Sequence, residues 1–365
     1  MTVLVAGAGI AGLSTAWALT KRGVQVTLLE QGPIPNPLSA SGDQHRIIRR
    51  AYGGQGGYQR RIGAAYDAWD EMWSDLGEKH LVDTGFMLLC QQEGDGADIY
   101  RDGLLEGGYP FEELSPGETA ARYPFVDAAT LRYGAVSREG GVLLCQRIAF
   151  GLRNWLIANG ALVRENCKVT AVDAVAGSVT LADGSVLNGD HVIVTAGAWT
   201  LGLFPDLAAN LTTYRTAVVY LTPPEDLRQA WADSPCILDP GGSIDGYVLP
   251  PVAGTGLKFG AGIHKHKSLP DQDRVAKPGE GEILRDYFSP PFGRISEYRV
   301  DEVVTCAYTF TSDEHFFATT MDRATVVSAC SGHGYKFGAV VGQKLADGVM
   351  TQDMDSARLW LEARD

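Results

Sequence analysis

Residues 3–30, VLVAGAGIAGLSTAWALTKRGVQVTLLE, constrain what this chain can fold into more than any other stretch. The apolar run 3–6 enters Gly7-x-Gly9-x-x-Gly12, and a helix-period segment carrying Leu13, Ala16, Trp17 and Leu19 follows. Gly23 stops that segment, and a second apolar run, 24–29, ends in Glu30 and Gln31. The order is strand, glycine turn, helix, strand, acid. In that order every glycine has a physical reason. Gly7 makes the tight turn, Gly9 lets the backbone approach a pyrophosphate, and Gly12 lets the helix sit close on the sheet. The first helical residues, Ile10 and Ala11, present free N–H groups and the positive end of the helix dipole to the phosphates. Glu30 falls where an acid accepts hydrogen bonds from an adenosine ribose. Three spaced glycines alone often mark only a turn. With both strands and the terminal acid, they point to a bound dinucleotide whose identity the rest of the chain must supply.

Length and charge narrow the classes that remain. A chain of 365 residues is long enough for two domains or one large α/β unit. The net charge of −13 disfavours nucleic acid and anionic membrane as partners. No apolar segment reaches transmembrane length and no signal-like core is present. The nucleotide motif opens at residue three, so a cytoplasmic location is expected. The six cysteines (Cys90, Cys145, Cys167, Cys236, Cys306, Cys330) are scattered, with no CxxC and no His/Cys cluster at zinc spacing. Disulfides and a metal centre are therefore not expected, and each cysteine taken singly reads as a small buried hydrophobe.

After Glu30 a proline-rich loop leads to Gln44-His-Arg-Ile-Ile-Arg-Arg50, where Arg46 and Arg49 would share one face of a helical turn. That cluster reads either as a solvated basic turn or as a cationic wall for a carboxylate or a cofactor. Ile62, Ala65, Tyr66, Trp69, Trp73 and Leu76 mark an amphipathic helix closed by Gly77. From residue 84 the texture changes, with a strand at 86–89 and then a looser stretch to Glu139. A helix through Ile148, Leu152, Trp155 and Leu156 follows, then a meander of short strands at 161–164, 168–173 and 179–182. A buried parallel-type strand from His191 ends at the Gly197 turn, and β-like runs come at 214–221, 247–249, 257–260 and 303–310. A final strand, 324–329, meets SGHGYKF, which opens a small-residue helix expected to stop near Gly348. The expectation is an α/β plus α+β architecture. A Rossmann-like nucleotide domain (1–83, 142–212 and 312–365) carries a discontinuous substrate domain (84–141 and 213–311) built on a mainly antiparallel sheet.

The motifs GAGIAG, RIIRRAYG, TAGAW, GLKFG, TCAYTFTSDEHF and SGHGYKF, in this order, resemble the monomeric sarcosine oxidase family. That family includes N-methyltryptophan oxidase and pipecolate oxidase within the D-amino-acid oxidase-like flavoproteins. The resemblance runs over nearly the whole chain, and the last two motifs are its most specific part. It implies FAD as the dinucleotide and oxidation of a secondary amino acid, N-alkyl or cyclic, at its C–N bond, with O2 reduced to H2O2. A monomer acting on a small-molecule amino acid is implied as well. Matched residue by residue, Cys306 corresponds to the cysteine that holds FAD covalently as an 8α-S-cysteinyl thioether. Lys258 corresponds to the lysine beside the flavin that promotes the reaction with oxygen, and Arg49 and Lys336 to the pair that clamps the substrate carboxylate. Arg46 and His333 match residues against the flavin ring, and Tyr247 and Tyr308 match aromatics of the substrate pocket. Val169, Ala196, Gly197 and Trp199 are expected to line the cofactor, with Gly332, Gly334 and Lys336 around its head.

Elementary chemistry agrees with these roles. Removing a hydride from a neutral amine needs no strong base; it needs substrate held in near-attack geometry, which a cationic pair on a carboxylate supplies. Reduced flavin is anionic, so a helix N-terminus at 332–334 with nearby cations would stabilise it. Each residue also has a plainer reading: Lys258 as a strand-edge lysine, Cys306 as a core cysteine, Lys336 as a surface lysine at a helix start. His45 stands where the family carries a small hydroxyl residue, and GAGIHKHK after Lys258 departs from its pattern. His264 and His266 accordingly read as part of a solvated basic loop. Three alternatives remain open: an FAD-dependent dehydrogenase passing electrons to a carrier, a non-catalytic flavin-binding subunit and, third, an NAD(P) enzyme.

Overall fold

The computed structural model describes residues 1–364. Its first layer is a six-stranded sheet in the order Phe317–Met321, Ala324–Ser328, His191–Val194, Thr2–Ala6, Gln25–Leu29, Leu162–Arg164. All neighbours are parallel except the first two strands. Thr2–Ala6 lies at the centre and is buried on both faces, which is why its sequence is a continuous apolar run. Val3 and Val5 face one cluster with the helices Ile10–Lys21, Gly56–Leu76, Cys145–Ala158 and Gly338–Thr351. Leu4 and Ala6 face the other way, into a cluster shared with the three-stranded antiparallel meander Val169–Asp173, Ser178–Leu181, Val186–Asn188. The opening strand–helix–strand unit is thus the Rossmann-like start that its pattern implied.

A nine-stranded sheet forms the second half of the molecule. Its path runs His266–Lys267, Thr212–Thr222, Leu257–Ala261, Gly246–Leu249, Cys236–Asp239, Phe86–Cys90, Tyr133–Ser137, Glu112–Leu114, and Arg299–Phe310 also pairs with Thr212–Thr222. Every pairing is antiparallel except that between Cys236–Asp239 and Phe86–Cys90. Aromatic packing closes its core, with Phe125 stacked on Trp231 at 3.7 Å between ring centroids.

Several local expectations need correction. Arg46 and Arg49 do not share a helical turn: His45–Arg49 is a strand, paired antiparallel with Gly140–Leu144. Positions three apart in a strand face opposite ways, so the two arginines serve different neighbourhoods. The stretch read as loose before Glu139 contains the helix Gly96–Gly107 and the capped helix Pro116–Arg122. Leu162–Arg164 joins the parallel sheet and not the meander, whose third strand is Val186–Asn188. The small-residue helix passes Gly348 to Thr351, and a further helix, Met354–Glu362, follows. No helix among the described residues is long and apolar enough to cross a membrane.

Candidate active site

Close backbone approach shapes the glycine turn. Gly7 has φ +104°, and a Cβ there would lie 2.5 Å from the Thr195 carbonyl oxygen; one at Gly12 would lie 1.8 Å from the Gly7 carbonyl oxygen. Neither position has room for a side chain, so helix Ile10–Lys21 starts pressed against the turn, with Gly9 as its N-cap and no side-chain cap. Beside that helix start lies a cavity of about 1140 Å³, lined by Gly7, Gly9, Ile10, Ala11, Glu30, Gln31, Val169, Ala196, Gly197 and Trp199. The Glu30 carboxylate already accepts from the Ala8 and Gly32 amides at 2.8 and 3.0 Å and from Asn36 Nδ2 at 2.9 Å. A carboxylate has about four acceptor positions, so roughly one is left for a ribose hydroxyl. Trp199 Nε1 donates to Asp271 at 2.9 Å, and residues 267–272 close the cavity's other wall. The lining reaches Ala329 and Cys330, where SGHGYKF begins. An uncapped helix start over a glycine floor, an acid at one end and this volume fit FAD. Gly12, Arg46, Cys306, Gly332, His333, Gly334 and Lys336 lie outside the lining.

Arg49 and Lys336 meet at Tyr52. The Arg49 guanidinium stacks over Tyr52 at 4.6 Å and Tyr100 at 5.0 Å, donates to the Ala51 carbonyl, and leaves Nε without a partner. Lys336 Nζ donates to the His333 carbonyl at 2.9 Å and to the Tyr52 hydroxyl at 3.4 Å. Both cations are at most 7 % exposed, and among the described residues neither is ion-paired with a carboxylate. Burial, and then the Arg49 charge, hold the Lys336 ammonium well below the usual lysine value. His333 is held far below its usual value by burial and then by Lys336, so its imidazole is neutral. Its Nε2 lies 3.0 Å from the Glu314 carbonyl and its Nδ1 2.6 Å from the Tyr52 hydroxyl. A carbonyl can only accept, which places the ring proton on Nε2 and makes Tyr52 the donor to Nδ1. Lys336, Tyr52 and His333 are therefore one directional chain. Helix formation proper begins only at Gly338, after a 3₁₀ turn at Tyr335–Phe337, so the helix start lies a turn beyond residues 332–334.

Lys258 sits in Leu257–Ala261, an inner strand of the nine-stranded sheet, and is fully buried. Its Nζ donates to Asp43 Oδ2 at 2.6 Å and to the His45 carbonyl at 3.1 Å. Asp43 also accepts from Arg46 at 2.5 Å, from the Tyr220 hydroxyl at 2.6 Å and from the Gln44 amide at 2.8 Å. Burial alone would raise the Asp43 carboxyl, but Lys258 and Arg46 hold it well below the usual carboxylate range. Burial and then the Lys258 charge push His45 down to about 3. The Tyr247 ring lies 5.7 Å from Lys258 Nζ. Cys306 and Tyr308, two apart on Arg299–Phe310, share a strand face; Cys306 is buried, and burial drives the Tyr308 phenol upward. The Arg46 charge works against that rise at Tyr308. Lys258 is not the strand-edge lysine of the plainer reading, since its strand lies inside the sheet, and Lys336 is buried and not a surface lysine.

Two side chains central to this geometry carry no signal in the sequence, and a third stands in a motif that assigns it no role. Asp43 precedes the RIIR segment by three positions with no period to flag it, and Tyr100 lies on a helix whose sequence reads as loose chain; Tyr52 stands inside the motif RIIRRAYG without a role of its own. The basic loop is exposed at Ile263, Lys265 and Lys267, with Lys265 lying 3.6 Å over the Phe310 ring, while His264 is half-buried and pairs with the Glu280 carbonyl at 3.1 Å.

The family model described as DAO, FAD dependent oxidoreductase, matches residues 2–348. Peroxisomal sarcosine oxidase of Homo sapiens is 27 % identical over 358 residues, covering 94 % of this chain and 90 % of that protein. Monomeric sarcosine oxidase of Bacillus sp. (strain B-0618) is 28 % identical over 367 residues, covering 96 % and 92 %. The solved structure of L-proline dehydrogenase from P. horikoshii covers 99 % of this chain and 96 % of its own at TM-score 0.82 and 17 % identity, a likeness of fold.

Proposed function

The chain belongs to the DAO family of FAD-dependent oxidoreductases, and from that premise we propose that it oxidises a secondary amino acid, N-alkyl or cyclic, at its C–N bond and passes the electrons to O2, giving H2O2. The observation that carries the reading is the buried pair Arg49 and Lys336 on one tyrosine with no carboxylate of the protein between them. A buried guanidinium without a carboxylate costs several kcal/mol and discourages charge on the lysine beside it, so such a pair is best explained by an anion that the site takes from outside. A carboxylate held there is fixed at one end, and the amine at its other end is left with little freedom.

Bound FAD would supply the two-electron acceptor, and later the reductant for O2, that no side chain provides. Gly7 to Gly12 and Glu30 would hold its adenosine half, and Cys306 would tether the head. Arg49 and Lys336 would take the carboxylate while Tyr52 keeps both in register. His333, neutral and locked by Tyr52 and the Glu314 carbonyl, would present an uncharged wall. Tyr247 and Tyr308 would exclude water around the reacting C–H. Lys258 would place a fixed positive charge where oxygen gains electrons. On this reading residues 1–83, 142–212 and 312–365 form the FAD domain and 84–141 and 213–311 the substrate domain of a monomer.

The test is a screen of secondary amino acids and their amides for peroxide, followed by separate half-reactions. Lys258→Met should slow reoxidation of reduced enzyme by at least tenfold while reduction by substrate stays within about twofold. An unchanged oxidative rate would remove that role from Lys258. Equal activity on acids and amides would remove the clamp, and substrate bleaching without peroxide in air would favour the dehydrogenase.

A further inference from the structure

The Asp43 carboxylate belongs to no motif of the sequence, yet it is the most densely bonded acid of the site. It lies in the turn before strand His45–Arg49, and its side chain is 2 % exposed. Four donors converge on its two oxygens from three directions. Lys258 comes from the inner strand Leu257–Ala261, Tyr220 from the neighbouring strand Thr212–Thr222, and Arg46 with the Gln44 amide from its own segment. Tyr220 and Lys258 are register partners on adjacent strands. Among the described residues the Lys258 ammonium is ion-paired with no second carboxylate, and the His45 carbonyl and the Tyr247 ring also lie against it.

A lysine side chain has four rotatable bonds, and its ammonium is a point charge whose position depends on what it is bonded to. Here the one strong, charge-assisted contact is Asp43 at 2.6 Å. We infer that Asp43 is the positioning residue of Lys258: it fixes where the ammonium stands and, through Arg46, ties that place to the strand carrying Arg49. Its effect on the oxygen step runs entirely through Lys258. The inference rests on the proposed role of Lys258, and it adds that Asp43 touches neither substrate nor oxygen.

A mutant cycle of D43N, K258M and D43N/K258M tests this on two readouts. In the holoenzymes, D43N should slow reoxidation about tenfold with substrate reduction nearly unchanged, and it should add nothing further in the K258M background, because residues acting as one unit are not additive. The thermal midpoints of the three variants, measured without substrate, give the second readout. D43N leaves Lys258 and Arg46 facing each other uncompensated and should melt well below wild type, whereas D43N/K258M removes one of those cations and should regain at least half of the loss. Independent, multiplying effects on reoxidation would overturn the inference, as would a double variant that melts lower than D43N. If K258M reoxidises like wild type, the reading of Lys258 fails and the positioning role for the oxygen step falls with it. If K258M is slow but D43N is not, that reading stands and only the role of Asp43 is lost.

Discussion

At the scale of single residues, Lys336 gives the sharpest expectation. Burial, followed by the Arg49 charge, holds its ammonium well below 10.5 in the free site. Between that depressed value and 10.5 the unfolded chain binds a proton that the folded chain does not. Folding stability therefore rises with pH across this window and falls as pH drops through it; below the folded value the penalty is constant. A carboxylate seated between Lys336 and Arg49 supplies the opposite charge and reverses the shift, so ligand binding should draw up to one proton from solution. Calorimetry of binding in buffers of different ionisation heat measures that proton directly. In Lys336→Met the uptake should vanish along with most of the affinity. Uptake that survives the substitution would assign the proton to another group and empty the clamp of its lysine.

At the scale of elements, the helix Gly56–Leu76 does more than cover the sheet. Trp69 is buried, stacks on Trp73 at 4.9 Å and donates its indole N–H to the Lys336 carbonyl at 2.8 Å. The helix thereby sets the height of the 3₁₀ turn that carries Lys336. Trp69→Phe keeps most of the ring but leaves that buried carbonyl unpaired, at about 1–3 kcal/mol. We expect a lower thermal midpoint and a several-fold higher KM with the oxygen rate unchanged; an unaltered KM would show that the turn holds itself. This helix is legible in the sequence because Ile62, Trp69 and Trp73 repeat at helical spacing on a face that is buried. The opening βαβ unit is legible for a similar reason, since period and glycine spacing are both local. The strand His45–Arg49 is not, because its register comes from Gly140–Leu144, nearly a hundred residues away. Asp43 escapes for the same reason: its partners Lys258 and Tyr220 lie on strands some two hundred positions later, and nothing local marks an acid that will be buried by them.

At the scale of the whole molecule, the segments proposed to hold the cofactor arrive from five separated parts of the chain, around Gly7, Glu30, Val169, Gly197 and Cys306. The first four line one cavity, and Cys306 lies buried on the long strand Arg299–Phe310 of the other sheet. A ligand that touches both sheets and binds only the folded chain stabilises it by mass action, in proportion to RT ln(1 + [FAD]/Kd), about 2.7 kcal/mol at a hundredfold excess over Kd. A tethered ligand cannot be diluted away, so its stabilisation is independent of FAD in solution. Wild type should therefore keep its yellow colour with the acid-precipitated protein, and its thermal midpoint should not respond to added FAD. Cys306→Ser preserves volume and burial while removing the sulfur, so its flavin should pass to the supernatant. Its midpoint should drop on dilution and climb back by a few degrees as FAD is added. If wild type releases its flavin in acid and its midpoint follows FAD as closely as the variant's, Cys306 is one more buried cysteine and the cofactor is held by the cavity alone.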